Sequence, residues 1–163
     1  MSFFLNNITK ENEFTLITRD EFFVDKTKLI SEFNKKIRVS KRFICITRPR
    51  RFGKSINALM LASYYAKHLD TKDIFDKLAV SKCDSYEKHL NKHNVIFMSL
   101  NDKNKNFTNY EDYKAYFKNG LINDVTSSPT YSSNFFHKIL AVEVGASFCI
   151  THANSRFSLD NPI

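Results

Sequence analysis

The sequence predicts an α/β protein with parallel strands, on three observations. Two short runs, Phe43-Ile44-Cys45-Ile46-Thr47 and Val95-Ile96-Phe97-Met98-Ser99-Leu100, have the apolar, β-branched composition of strands buried on both faces. Between them, residues from Ser55 to about His68 are apolar nearly all round, as in a helix packed against a sheet. The first strand and that helix are joined by Arg48-Pro49-Arg50-Arg51-Phe52-Gly53-Lys54-Ser55. A strand, a loop ending in Gly-Lys-Ser and then a helix is the order of a phosphate-binding loop.

The other elements follow from pattern. Phe22-Phe23-Val24 is an apolar cluster expected to pack on the core. Asp25-Lys26-Thr27 opens a helix whose Leu29, Ile30 and Phe33 share a face, with Asp25 placed as its N-cap. Asp73 to Leu78 predicts a helical turn or two, and Ser85 to Asn91 a short polar helix. Tyr110 to Leu121 predicts an amphipathic helix with Tyr113, Tyr116 and Phe117 on its core face and Gly120 near its C-terminal cap. Residues 123–134, rich in Ser, Thr and Asn, read as a loop. The apolar stretches Ile139 to Val144 and Phe148 to Ile150 fit no recognisable unit, so 123–163 is an unassigned tail.

Length and charge narrow the function. A chain of 163 residues with 42% hydrophobic content supports one domain with a real core. No run approaches the ~20 apolar residues that cross a bilayer, and Met1 to Lys10 lacks the layout of a signal peptide. Cys45, Cys83 and Cys149 show no metal-ligand spacing and read as reduced thiols, which points to the cytoplasm. His68, His89, His93, His137 and His152 are scattered. His89 and His93 share an i,i+4 spacing but lack a third ligand nearby, so surface histidines are expected. The net charge of +8 is concentrated. Nine basic residues and no acidic one lie between Lys35 and Lys54, leaving 16 basic against 17 acidic residues elsewhere. That concentration points to a local anion site.

At such a loop each residue type has a chemical task. Gly53 allows close backbone approach, and the helix N-terminus after it presents open N–H groups and the positive end of a dipole. Lys54 places a full charge on the β- and γ-phosphates, and the Ser55 hydroxyl ligates Mg²⁺. Arg50 and Arg51 add cationic donors. The general pattern begins with Gly, where this chain has Arg48 followed by Pro49. Neither residue tolerates φ > 0 cheaply, so the loop is expected to take a different path at its start. Two alternatives stand beside a nucleotide site. One is a nucleic-acid or other polyanion surface on residues 35–54, although no nucleic-acid motif accompanies it. The other is a fragment without function.

The residues also carry a resemblance. Phe23-Val24-Asp25-Lys26-Thr27-Lys28-Leu29-Ile30, followed by Ile46-Thr47-Arg48-Pro49-Arg50-Arg51-Phe52-Gly53-Lys54-Ser55, resembles the motif pair of the AAA-ATPase-like domain family. Leu59-Met60, Ile74-Phe75-Asp76-Lys77-Leu78 and Val95 to Asp102 are similar to later family segments, so the resemblance covers about residues 14–122. It implies a P-loop NTPase fold, a three-layer sandwich with a parallel sheet, incomplete here, and binding of ATP with Mg²⁺. In that family the Arg48-Pro49 start is usual. The family's later acidic strand motif, hydrophobic-Ile-Asp-Glu-Tyr-Asp, has no counterpart in this chain. Asp102 and Glu143 imitate it only superficially. The expectation is a C-terminally truncated member that binds nucleotide, with hydrolysis, oligomeric state and a following nuclease-like domain left open.

Overall fold

The computed structural model describes residues 3–39, 44–47, 49, 51–99, 107–127, 139–144 and 148–152. The fold is mixed helix and strand. In chain order it contains α1 (Glu13–Ile17), α2 (Lys28–Asn34), β1 (Ile44–Ile46), α3 (Lys54–Tyr65), α4 (Lys72–Phe75), a 3₁₀ turn (Ala79–Lys82), α5 (Tyr86–His89), β2 (Asn94–Ser99), α6 (Tyr110–Thr126), β3 (Ile139–Val144) and β4 (Phe148–His152).

The four strands form one sheet in the order β1-β4-β3-β2. The expected parallel pairing holds only between β2 and β3. Strand β4 runs against both of its neighbours, β1 and β3. Chain connectivity explains the difference. A parallel pair needs a crossover of a dozen or more residues, which α6 supplies between β2 and β3. Only residues 145–147 separate β3 from β4, too few for anything but an antiparallel return. Strands β1, β2 and β3 therefore share one direction. The stretch left unassigned by pattern builds two of the four described strands.

Helix α3 is the hub. It packs on β2, β3 and β4, and α1 packs on α3. From Met60 to Tyr65, and on through Ala66, every residue is buried. Tyr64 lies edge-on to Tyr65 and Phe75, at centroid distances of 4.9 and 5.3 Å. Its hydroxyl donates to the Tyr86 carbonyl at 2.6 Å, and Tyr65 donates to Asn34 Oδ1 at 2.7 Å. Burial pushes the Tyr64 phenol up to about 12.

Successive residues of β2 point to opposite faces of the sheet. Val95 and Phe97 join the α3 core, while Ile96 and Met98 join a second cluster with Phe4, Leu5, Tyr116, Phe117 and Leu121. The N-terminal segment closes the edge of β2: Asn6 donates to the Val95 carbonyl, and Phe97 to that of Phe4. Asp124, buried in α6, accepts the N–H groups of Phe3, Phe4 and Leu5 at 2.5–2.8 Å. Gly120 is not a cap. It lies inside α6, where a Cβ would come 2.5 Å from the Phe4 ring. Helix α6 runs on to Thr126, so the first residues of the expected loop are helical, and Ser128 to Asn134 lie outside the described residues.

Candidate functional site

Strand β1 delivers the chain to the loop, and α3 carries it away. Between them, Arg51 and Gly53 both take left-handed backbone, with φ of 67° and 72°. Arg51 bears a strain of about 1 kcal/mol that Gly53 avoids. Gly53 is the N-cap of α3, and its carbonyl accepts the first helical bond, from Asn57 at 2.9 Å. The N–H groups of Lys54, Ser55 and Ile56 fall in the turn where a helix has no internal acceptors. Lys54 is half-buried at the first helical position, and its Nζ reaches back to the Pro49 carbonyl at 3.4 Å. Ser55 is exposed beside it, and Arg51 is exposed on the loop. Arg48 and Arg50 lie outside the described residues.

The Val24-Asp25-Lys26-Thr27 segment meets this loop. Asp25 is not the N-cap of α2, because that helix begins two residues later than expected, with Thr27 as its N-cap. The Asp25 carboxylate instead ties two segments together. Oδ1 accepts the Thr27 N–H at 2.8 Å and its hydroxyl at 2.6 Å, while Oδ2 accepts the Ala79 N–H at 2.7 Å. The Val80 N–H donates to Thr27 Oγ1 at 3.1 Å, so the two side chains together hold the start of the 3₁₀ turn. Partial burial pushes the Asp25 carboxyl up. The hydrogen bonds from Thr27 and Ala79, with Lys28 nearby, outweigh that and leave it below its ordinary value. Lys26, between the two clasping residues, is exposed. Its Nζ lies 3.8 Å from where a Cβ on Gly53 would stand.

A cleft of about 200 Å³ opens there. Phe14 and Ile17 of α1, then Phe22, Phe23 and Val24, form one wall; Ile56 and Met60 of α3 form the other. Lys26, Gly53 and Asn57 are its polar members. Phe23 packs on the core as expected, but Phe22 and Val24 do not: they are 87% and 70% exposed at the rim. Phe52, on the loop, is 57% exposed.

Two other expectations change. His89 and His93 are buried, with Nδ1 and Nε2 3.1 Å apart and rings stacked at 5.3 Å. Helix α5 turns Tyr86, His89 and Leu90 inward, so its sequence polarity misled. Among the described residues no group of three His, Cys, Asp or Glu side chains could hold a metal. Of the two imitators of an acidic motif, Asp102 lies outside the described residues. Glu143 stands one residue before the end of β3, opposite Met98 of β2 and Cys149 of β4. Since β1 and β3 share a direction, that end of β3 is at the edge of the sheet from which the loop leaves.

The family model described as Predicted AAA-ATPase matches residues 9–149. The chain belongs to the AAA-ATPase-like family. No curated protein and no solved structure matches it. The match to the AAA-ATPase-like model takes in both motif segments and runs beyond residue 122 through β3. No described helix is long and apolar enough to cross a membrane. In this AAA-ATPase-like chain the residues lining the cleft that motif reading did not single out as candidates are Lys26, Asn57 and the exposed Phe22 and Val24. The available signal was the position of Lys26 between Asp25 and Thr27, two residues whose side chains form local turns.

Proposed function

We propose that this chain binds a purine nucleoside triphosphate of the ATP class with Mg²⁺, at the loop before α3. The observation that carries the reading is left-handed Gly53 set directly before a 12-residue helix that starts with Lys54 and Ser55. The open N–H groups and dipole of α3 cradle the phosphate chain. Lys54 leaves the Pro49 carbonyl to neutralise the β- and γ-phosphates, and Arg50 and Arg51 add charge from the loop. Mg²⁺ keeps most of its waters and takes phosphate oxygens, so one exposed hydroxyl, that of Ser55, is a sufficient protein ligand. The adjoining cleft takes the nucleoside. Its aromatic and aliphatic walls suit a flat base, and the Asn57 amide offers both a donor and an acceptor to the base edge.

Apolar clusters on opposite faces of β2 support a three-layer P-loop arrangement, with α3 on one face and α6 on the other. Glu143 is the one acidic residue in the four described strands, and it lies one residue from the end of β3 that shares the loop's edge of the sheet. The proposal assigns binding and no hydrolytic step. Titration with MgATP tests it. Lys54→Ala is expected to weaken binding about a hundredfold, the loss of a charge-assisted contact. An unchanged affinity would sink the reading.

A further inference from the structure

The two motif segments lie more than twenty residues apart in sequence and meet at one point, where the Lys26 ammonium stands beside Gly53. The residues on either side of Lys26 are fixed. Asp25 and Thr27 make four hydrogen bonds between themselves and to the Ala79 and Val80 N–H groups. Those bonds engage every polar side-chain atom of both clasping residues. Lys26 is the opposite case. Its flanks are held, its side chain is exposed, and no described carboxylate forms an ion pair with it. With its neighbours already tied down, the backbone at Lys26 needs no further ordering when an anion arrives, and only the flexible side chain loses freedom.

We propose that Lys26 is a second cation of the nucleotide site, binding the phosphate chain beside Gly53, with Asp25 and Thr27 as the residues that position it. The inference rests on the reading of Gly53 to Ser55 as a phosphate site. It divides the segment 24–27 into one binding residue, two positioning residues and a rim residue, Val24. It also explains why the 3₁₀ turn is tied to a segment so far from it in sequence: the turn's first two N–H groups are the fixed points from which Lys26 is aimed.

The test uses the full chain as wild type, Lys26→Gln, Lys26→Arg and Lys54→Ala. MgATP binding is followed by calorimetry and adenosine binding by saturation-transfer NMR. Lys26→Gln is expected to weaken MgATP about tenfold, the scale of one charged hydrogen bond. It should leave adenosine binding and the unliganded thermal midpoint unchanged, while Lys26→Arg retains most of the MgATP affinity. If Lys26→Gln binds MgATP like wild type while Lys54→Ala does not, Lys26 has no part in the site and the nucleotide reading stands without it. Equal losses for MgATP and adenosine overturn the phosphate role as well. If wild type itself fails to bind MgATP, the underlying reading has failed and takes this one with it.

Discussion

The two ends of α3 are built on opposite terms. From Met60 onward the helix is sealed among Tyr64, Tyr65, Phe75 and the sheet. At Lys54 and Ser55 it is half-buried and then exposed, behind a loop with two left-handed residues. One helix therefore carries the core's packing at its C-terminal half and offers its unsatisfied N–H groups at the other. Strain and exposure are affordable at the loop because the far end already holds the helix in place.

Substitutions at the two ends should separate stability from binding, and four measure how far. Tyr64→Ala should have the largest effect, about 3–5 kcal/mol lost in urea unfolding. Tyr64→Phe should lose about 1 kcal/mol, since the bond to the Tyr86 carbonyl goes together with a long one accepted from Asn34 Nδ2. Gly53→Ala should lose about 1–2 kcal/mol. The cause is the left-handed backbone and not crowding, because the new Cβ meets Lys26 at an ordinary 3.8 Å. The same variant should bind MgATP far more weakly, which Tyr64→Phe should not. Ser55→Ala should stay within about 0.5 kcal/mol of wild type in unfolding. It should weaken ATP binding in the presence of Mg²⁺ and leave Mg²⁺-free binding unchanged, as read by calorimetry with and without a chelator.

The smallest effect concerns pH. The folded Asp25 carboxyl sits below its ordinary value of 3.8, so the ionised form favours the native state. Its contribution is complete above that ordinary value and is lost as pH falls through the depressed one. The stability gap between wild type and Asp25→Asn should therefore be constant at neutral pH and close in acid. Asp25 is exposed overall, and solvent screening keeps the gap below about 1 kcal/mol. Unfolding curves at a series of pH values would check the sign.

Legibility from sequence followed the same division. Strands β1 and β2, α3 and α6 stand within a few residues of where apolar runs bounded by charge, Gly or Pro put them. Local composition determines such elements. Strands β3 and β4 were not legible, because Ile139 to Val144 shows no alternation and what makes it a strand is its pairing with β2. Phe22 and Val24 look like core residues to any composition rule and stand exposed at a cleft instead. His89 and His93 look like surface residues and are buried against each other. At the candidate site, the sequence places Gly53, Lys54 and Ser55 directly before a helix, and α3 does begin at Lys54 with Gly53 as its N-cap, because that signal is local. Lys26 could not be placed in this way, because its relation to Gly53 exists only after α2, the 3₁₀ turn and α3 have assembled.

The Asp124 carboxylate has a consequence for the order in which the chain takes shape. Its three bonds to Phe3, Phe4 and Leu5 span 119–121 residues. Residues 3–5 are thus fully secured only once α6 has formed. Without those bonds the segment covering the outer edge of β2 is held only by its own bonds to β2, and a thinly covered edge recruits other strands. Asp124→Ala should loosen that cover, read as faster hydrogen exchange at the Asn6 and Phe97 N–H groups, which bond across it.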